Sequence, residues 1–428
     1  MINILSNILW LLFIPFIIVM GIYVIYKYIV SVRSKIETEQ IKVSKIIGQI
    51  SISLGTMIGT GAIIGILGSI SSLYLSGQEY FEAIVFWAII GSLVLVPLAY
   101  LETIVAKTMH MNPKEYISVL LSKKAAIVYA LAFCLLHIFG FCGFQIQGIN
   151  SAITIITDGF FDINLTQIQR FLLIVVPLLI FVGIIILTKK HDVFINAMSF
   201  FIGIAVILYF IFAILFVLKT NNYVNIFLGN IFKGVTNPVT SLIGIPLGMV
   251  ASFQRICQSS EPGLGAFALS SLDNDVKAKP AAAVSALSAT ITVFVAIFIT
   301  TYIMSYANYT GQVNLQVMDS LQILTGFFYT AYNILGYFGV FTLTIFTIFS
   351  GITTILGSYY FLKTLFKLSF IKEFSVYMLF LILAGIFAIF GTDFIFNLID
   401  LLMFIVAFIN VVTIFIFIKK FHKIKPKK

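Results

Sequence analysis

Residues 55–68 read Gly-Thr-Met-Ile-Gly-Thr-Gly-Ala-Ile-Ile-Gly-Ile-Leu-Gly, with five glycines, two threonines and no charge. They lie inside an apolar run that is long enough to cross a bilayer. Because each glycine weakens a helix by about 1 kcal/mol relative to alanine, this density favours unwinding. Backbone groups freed at membrane depth must then be satisfied by protein, water or a ligand. Two interpretations are open: a broken helix that forms a transport site, or close helix packing through the small-xxx-small pairs Gly55/Gly59 and Gly61/Gly65.

The composition indicates an integral membrane protein. Of the 428 residues, 61% are hydrophobic and 10% are charged, and the mean hydropathy is +1.11. A soluble domain is nearer half apolar and a quarter charged. The apolar runs are too long for the strands of a membrane barrel. Neither the three cysteines nor the four scattered histidines form a metal or nucleophile cluster, so we expect neither an enzyme nor a cofactor.

Eleven apolar segments predict an all-α protein with about eleven transmembrane helices. They lie at residues 4–30, 46–75, 81–106, 125–156, 171–187, 193–218, 239–272, 281–306, 327–361, 374–390 and 394–418. The first segment lacks a basic start and a small-residue cleavage site, so we expect a retained helix and not a signal peptide. It is followed by ten core helices.

The distribution of positive charge predicts the orientation. When the N-terminus is placed outside, most of the 26 Lys and Arg residues fall in every second connection and in the tail at 419–428. This asymmetry is typical of cytoplasmic loops. We therefore expect a multi-pass protein of the cell membrane with a cytoplasmic C-terminus. The net charge of +10 is explained by this topology, which argues against a nucleic-acid partner.

A second interrupted segment lies in the sixth core helix, where residues 259–265 read Ser-Ser-Glu-Pro-Gly-Leu-Gly. Two interrupted helices, each opening a set of five, are typical of an inverted-repeat transporter with its site between the repeats. This favours the broken-helix interpretation of residues 55–68. We divide the chain into a leading helix with its connection at 1–45, repeats at 46–218 and 219–418, and a basic cytoplasmic tail at 419–428.

At these two motifs the sequence resembles the sodium:alanine (alanine/glycine:cation) symporter family, as a divergent member of the leucine-transporter-like fold. The family pattern Gly-Thr-Gly-Asn-Ile-x-Gly is similar to residues 59–65, and Arg-Gly-Leu-Phe-Ser-Asn-Glu-Ala-Gly-Leu-Gly is similar to residues 255–265. Weaker fragments follow in family order across most of the chain. They are Phe86-Trp87, Glu102, Gln147, Asn150-Ser151, Pro280, residues 353–360 and residues 397–400.

The resemblance implies a sodium site, and the departures bear on where it lies. Ala62 and Ser260 stand where the family has asparagines, and Ser358 where it has a tryptophan. Ala62 offers no side-chain oxygen, which argues against an ion beside it. The other ion position implied by the fold uses carbonyls of the first core helix and hydroxyls of the eighth. In this sequence its residues are Gly55, Ile58, Thr353 and Thr354, with one ion per substrate expected.

The predicted substrate-binding residues lie at the two interruptions and on the third core helix. Backbone N–H groups at the start of a half-helix suit a carboxylate, and small residues leave room for a small substrate. The residues are Gly59, Thr60, Gly61, Gln147, Ser259, Ser260, Gly263 and Gly265. For each the alternative is a structural role, helix packing for the small residues and an interhelical hydrogen bond for Gln147.

Charges within the spans are functional by default. We expect Arg255 and Glu261 to form a charge pair or gate, with proton coupling through Glu261 and a purely structural role as alternatives. Glu102, followed by Lys107, is expected to be a solvated carboxylate at the cytoplasmic interface. His137 is expected to be a packed histidine, and Asp400 to join a structural network with Asn397.

The sequence therefore predicts symport of a small neutral amino acid such as alanine or glycine, driven by a cation gradient, with sodium as the expected ion. A proton-coupled or altered-substrate carrier of the same fold is the main alternative, because of Ala62, Ser260 and Glu261. A channel would require a continuous charged or carbonyl-lined pore.

Overall fold

The structure is a computed structural model that describes residues 2–32, 43–272, 276–390 and 392–421. Within these ranges the chain is helical and forms no strand, only an isolated bridge between Thr240 and Pro246. Helices are expected in so apolar a chain because they satisfy their backbone groups internally. The predicted all-α class is confirmed.

Nineteen α-helices follow one another along the described chain. They are α1 (Ile2–Val32), α2 (Val43–Met57), α3 (Ile64–Leu75), α4 (Ala83–Met109), α5 (Pro113–Leu120), α6 (Lys123–Leu135), α7 (Gly143–Phe161), α8 (Gln167–Arg170), α9 (Val176–Leu187), α10 (His191–Lys219), α11 (Val224–Thr236), α12 (Leu247–Ser260), α13 (Ala266–Leu272), α14 (Ala278–Val293), α15 (Thr300–Tyr309), α16 (Ser320–Leu335), α17 (Tyr337–Phe366), α18 (Phe370–Phe390) and α19 (Thr392–Phe421). Three π-helical turns, Leu136–Cys142, Phe171–Val175 and Phe294–Ile299, continue α6 into α7, α8 into α9 and α14 into α15.

Eight of the described helices are long and apolar enough to span a membrane, or nine when a bent pair is taken as one span. The bent pair is the first glycine-rich segment, where Ile46–Met57 and Thr60–Leu75 meet at 63°. A shorter apolar helix, Ile8–Tyr23, lies within α1. The total of eleven spans stays a prediction. The predicted connection before residue 46 and the basic tail lie largely outside the described residues.

The first predicted interruption is confirmed. After α2 ends at Met57 the chain bends, makes a single 3-10 turn at Thr60–Ala62, and resumes as α3. The glycines of this segment explain why the helix yields here, since they combine low helix propensity with room for close neighbours. The site described below is built around this bend.

The second predicted interruption is confirmed as well. Between α12 and α13 the residues Glu261, Gly263 and Gly265 have positive φ angles of 51°, 86° and 93°. Glycine adopts such angles without strain, whereas a side chain rarely does. A Cβ atom at Gly265 would also clash with the Tyr129 hydroxyl, so this turn requires glycine for two reasons.

One predicted segment is wrong in its extent. Residues 327–361 were expected to form one span, but the structure divides this region into α16 and α17 at Gly336, where φ is 61°. The spanning helix is Tyr337–Phe366, and α16 is a separate helix in front of it. Glycine permits the break between the helices. It was not predicted because the sequence is apolar on both sides of Gly336.

The helices pack into two groups around the two interruptions. α4 contacts α12, α13 and α14, and α14 also contacts α2, so the two interrupted helices share a group with α4 and α14. In the second group α17 contacts α7 and α10, α18 contacts α7, and α19 contacts α6. α2 also packs on α17 and α10, so the first interruption lies at the boundary between the groups.

Candidate functional site

The first interruption is stabilised by Gln145 of α7. The backbone N–H of Thr60 donates to Oε1 of Gln145 over 2.6 Å, and the Thr60 hydroxyl lies 3.4 Å from the carbonyl oxygen of Phe144. The contact is tight, because a Cβ atom at Gly59 would lie 2.5 Å from the same Oε1. Gln145 is buried. It was not among the predicted site residues, although the polar stretch of the third core helix is visible in the sequence.

Four predicted ion-site residues meet where α2 ends against the middle of α17. The Thr354 hydroxyl lies 3.4 Å from the carbonyl oxygens of both Gly55 and Ile58. Thr353 is beside them, with its Cβ 3.3 Å from the position of a Cβ on Gly55. Its hydroxyl donates to the Ser350 carbonyl over 3.0 Å, and all of these side chains are buried.

Carbonyl and hydroxyl oxygens are the donors that hard cations prefer. The hydroxyl of Ser350 is buried without an intramolecular hydrogen bond next to this cluster. These neutral oxygens therefore fit a small monovalent cation. Four of the residues are the predicted ones, and Ser350 lies one helical turn before Thr353 and Thr354. That the cation is sodium stays a prediction.

A small cavity of about 10 Å³ lies between the two interruptions. This is about the space that one water molecule requires. In this conformation the region between the interruptions is therefore closed to a molecule as large as an amino acid. The walls are formed by Thr56, Met57, Gly59, Gly61, Phe141, Phe144, Gln145, Gln258, Ser259, Glu261 and Thr354.

A much larger cavity of about 950 Å³ lies between α3, α7, α12 and α19. α7 lines it with Gln147, Asn150, Ser151 and Thr154, which recur at helical spacing. Oε1 of Gln147, Oδ1 of Asn150 and Oγ1 of Thr154 are buried without intramolecular partners. The wall at this side thus carries several polar residues, and the predicted substrate residue Gln147 belongs to it, not to the small cavity.

Phe144 and Gln258 line both cavities, so they form the partition between them. Gln258 accepts a hydrogen bond from Arg255, whose second guanidinium nitrogen lies 2.7 Å from Oδ1 of Asp400. A Cβ atom at Gly65 would be 3.0 Å from Oε1 of Gln258, so Gln258 also packs closely on α3. The series Asp400, Arg255 and Gln258 connects α19 to the partition.

The predicted charge pair between Arg255 and Glu261 is wrong. Arg255 pairs with Asp400, while Oε2 of Glu261 lies 3.8 Å from Nε2 of His137. The two side chains diverge because Arg255 lies within helix α12, whereas Glu261 follows its end in a left-handed conformation. The gating role of either residue stays a prediction. The side chain of Asn397, the expected partner of Asp400, lies outside the described residues.

The expectation for Glu102 is also wrong. This carboxylate is fully buried, and Oε1 accepts hydrogen bonds over 3.0 Å from the Gly265 N–H and from Nδ2 of Asn410. Asn410 also donates to the Gly263 carbonyl over 2.9 Å, and the Tyr129 hydroxyl donates to Leu264 over 2.7 Å. α4 packs against α13, so Glu102 satisfies the backbone of the second interruption instead of facing water.

Four of the predicted substrate residues lie away from both cavities within the described chain. Thr60 is bonded to Gln145, and the Ser260 hydroxyl donates to the Ile256 carbonyl over 2.9 Å. Gly263 and Gly265 face the packing residues of α19, α5 and α6. In contrast, Gly59, Gly61 and Ser259 meet at the small cavity. A role in binding stays a prediction for all of them.

His137 is fully buried, as expected, with its ring 4.1 Å from that of Phe133 between centroids. It is not surrounded by apolar groups alone, because Nδ1 lies 3.3 Å from the Ser358 hydroxyl. The sequence gives no local signal for this contact, since the two residues are 221 positions apart.

Comparison with known proteins agrees with this architecture. The model of the sodium:alanine symporter family matches residues 1–426. No curated protein sequence matches the chain. A Na+-coupled sialic acid symporter, solved in a substrate-bound outward-open state, is similar with 14% identity and a TM-score of 0.57, covering 94% of this chain and 83% of that one. A manganese transporter of Eremococcus coleocola is similar with 14% identity and a TM-score of 0.52, covering 89% of this chain and 81% of that one. At this identity, the similarity of each structure to this chain shows the fold alone.

Proposed function

The chain belongs to the sodium:alanine symporter family, and we propose that it transports a small neutral amino acid, such as alanine or glycine, across the cell membrane together with sodium. The observation that supports this most is the placement of the two interrupted helices. Their interruptions adjoin one closed cavity, and a cluster of hard oxygen donors lies at its edge. Thr354 belongs to both, so an ion and a substrate would bind next to each other.

The coupling ion would lie among the Gly55 and Ile58 carbonyls and the Thr353 and Thr354 hydroxyls. Because Gly55 lies in the last turn of α2 and Ile58 directly follows that helix, whereas Thr353 and Thr354 belong to α17, an ion held there would join the two helix groups. The Ser350 carbonyl, which the Thr353 hydroxyl contacts, adds a further oxygen. Sodium is the coupling ion that the family name indicates, and this donor set is compatible with it.

The substrate would occupy an expanded form of the small cavity. Gly59, Gly61 and Ser259 line it without bulky side chains, and Phe141 and Phe144 bound it with apolar rings. This combination suits a small zwitterion with a short apolar side chain. Enlarging the cavity requires that Phe144 and Gln258 move away from each other, since they separate it from the large cavity.

These two relations support a transport mechanism by alternating access. An ion that joins α2 to α17 stabilises the bend that the substrate contacts, so each ligand strengthens binding of the other. The large cavity includes the end of α3 at Leu75, which the predicted orientation places outside. In that orientation the conformation described here has a water-accessible outer cavity that is closed above the substrate position by Phe144, Gln258 and Arg255.

A proton-coupled or altered-substrate carrier is the second candidate. The observation that favours it is the buried group of Glu261, His137 and Ser358, in which His137 lies between the other two. Such groups form proton relays in some transporters. Ala62 and Ser260 replace two asparagines of the family pattern, the first with an apolar and the second with a shorter polar side chain, so the sequence also departs from the pattern at these positions.

Uptake into proteoliposomes tests the proposal. The purified chain is reconstituted, and uptake of radiolabelled alanine and glycine is measured under an inward sodium gradient, an inward proton gradient, or neither, at the same membrane potential. We expect accumulation only with the sodium gradient, and none in liposomes without protein. Accumulation that requires the proton gradient and does not depend on sodium would favour the second candidate. Unitary currents in single-channel recordings would contradict a carrier.

A further inference from the structure

Glu261 presents an unpartnered carboxylate oxygen at the small cavity. The residue lines that cavity and is 1% exposed, and its Oε2 has no hydrogen-bond partner within the described chain. Ser259, two residues earlier, also lines the cavity, is 5% exposed, and has an unpartnered hydroxyl. Two residues that line the same enclosed space thus each carry a buried polar oxygen without a partner.

The surrounding protein supplies no cation to this carboxylate among the described residues. Arg255 is engaged by Asp400 and Gln258. His137 lies 3.8 Å away, beyond hydrogen-bond distance, and is fully buried. The other nearby carboxylate, Glu102, accepts hydrogen bonds from Gly265 and Asn410 through Oε1, while its Oε2 is also buried without a partner, and Glu102 does not line the cavity. A buried carboxylate left in this state is unfavourable unless a cation, a donor or a proton compensates it.

The remaining walls are suited to positive charge. Thr354, Gln145 and Gln258 are polar wall residues, and Phe141 and Phe144 have aromatic rings. Oε1 of Gln145 already accepts from the Thr60 N–H and Oε1 of Gln258 from Arg255, so each amide oxygen has one further lone pair for a cation. Oxygens and ring faces both attract cations. The cavity volume of about 10 Å³ admits one compact group and not a whole amino acid.

We propose that Glu261 and Ser259 bind a compact monovalent cationic group in the small cavity. Two sources share this chemistry: the ammonium group of an amino-acid substrate, and a sodium ion in addition to the one at Thr354. The ammonium source rests on the proposed function, since it requires that an amino acid binds between the interruptions. The sodium source does not require an amino acid.

The test uses the purified full-length chain and two binding measurements. One measures binding of radioactive sodium without amino acid. The other measures displacement of radiolabelled alanine, at saturating sodium, by unlabelled alanine and by lactate, which replaces the ammonium with a hydroxyl. The variants are Glu261→Gln, which keeps the size of the side chain but removes its charge, and Ser259→Ala. Glu82→Gln is the matched control, because Glu82 is also a buried carboxylate but lines neither cavity.

If the group is the ammonium, Glu261→Gln weakens alanine binding by about tenfold or more and leaves sodium binding unchanged. The ratio of the affinities for alanine and lactate then also becomes smaller than in the wild-type chain. If it is sodium, Glu261→Gln weakens sodium binding in the absence of alanine by a similar factor. Ser259→Ala weakens binding of the same ligand as Glu261→Gln, by a smaller factor. It also tests the proposal should Glu261→Gln fail to fold. Unchanged sodium and alanine binding in the folded variants would overturn the proposal. A wild-type chain that binds no amino acid contradicts the proposed function, while its sodium measurement still tests this cavity.

Discussion

The guanidinium of Arg255 in α12 lies 2.7 Å from the carboxylate of Asp400 in α19, and the pair borders the partition between the two cavities. The side chains are 10% and 25% exposed. Because α12 and α19 belong to different helix groups, this ion pair joins the two groups in the conformation described, in which Phe144 and Gln258 divide the two cavities. An ion pair at this place is suited to stabilising the closed arrangement of the partition.

A double-mutant cycle tests this role. We expect Arg255→Ala and Asp400→Ala each to lower alanine uptake and thermal stability, and the double variant to be no worse than the worse single variant. The coupling energy should be about 0.5–3 kcal/mol, as for residues in one network. The control is the pair Lys367–Glu115, also 2.7 Å apart but 62% and 38% exposed, which should couple by about 1 kcal/mol or less. Additive effects at Arg255 and Asp400 would contradict the role.

Thr354→Val removes the hydroxyl that lies between the Gly55 and Ile58 carbonyls. We expect the sodium concentration for half-maximal uptake to rise by about tenfold or more, because a ligand oxygen is lost while the shape is kept. The measurement is alanine uptake as a function of sodium concentration. Thr347→Val in the same helix is the control, since its hydroxyl donates to the Leu343 carbonyl of its own helix. Equal sodium dependence in the two variants would exclude Thr354 from the ion site.

At Gly357, α17 packs closely against α2. A Cβ atom there would overlap the side chain of Thr56, whereas one at Gly203 in α10 would meet nothing within 4 Å. We expect Gly357→Ala to lower the free energy of unfolding by about 1–3 kcal/mol or to prevent folding, as in other overpacked cores. Gly203→Ala should be neutral or slightly stabilising. Melting temperatures of the two variants in the same detergent provide the comparison. Similar values would contradict the close packing of α2 on α17 that the structure has at Gly357.

Glu102 stabilises the second interruption by accepting the Gly265 N–H. We expect Glu102→Leu to cost about 1–3 kcal/mol of stability for each donor left without a partner, and Glu102→Gln to retain most of it because an amide oxygen still accepts. Thermal unfolding of the two variants measures the difference. The role would be contradicted if Glu102→Leu were as stable as Glu102→Gln.

Both interruptions were predictable because their signal is local. Glycine at five positions of residues 55–68, and Pro262 with Gly263 and Gly265, lower helix propensity wherever the chain folds. The oxygen cluster was predicted through the family resemblance, and the structure brings Gly55, Ile58, Thr353 and Thr354 together. Local chemistry and the family pattern thus indicated where the two interruptions and the oxygen cluster lie, while ion binding at that cluster stays a prediction.

The side-chain partners were not predictable, because they join residues far apart in the chain. Arg255 and Asp400 are 145 positions apart, and Glu102 and Gly265 are 163 apart. A hydropathy pattern does not specify which helices face each other. Glu102 was misjudged for this reason: Lys107 indicates a nearby helix end, yet α13 covers the carboxylate. The partition formed by Phe144 and Gln258 likewise depends on how α7 approaches α12.

We expect a cation at Thr354 and an amino acid in the adjoining cavity to stabilise each other. Equilibrium binding of both ligands to the purified chain tests it most directly. Linkage requires that sodium tighten alanine binding by the same factor as alanine tightens sodium binding, and we expect that factor to be at least about fivefold. Alanine affinity that does not change with sodium, together with sodium affinity that does not change with alanine, would contradict the account.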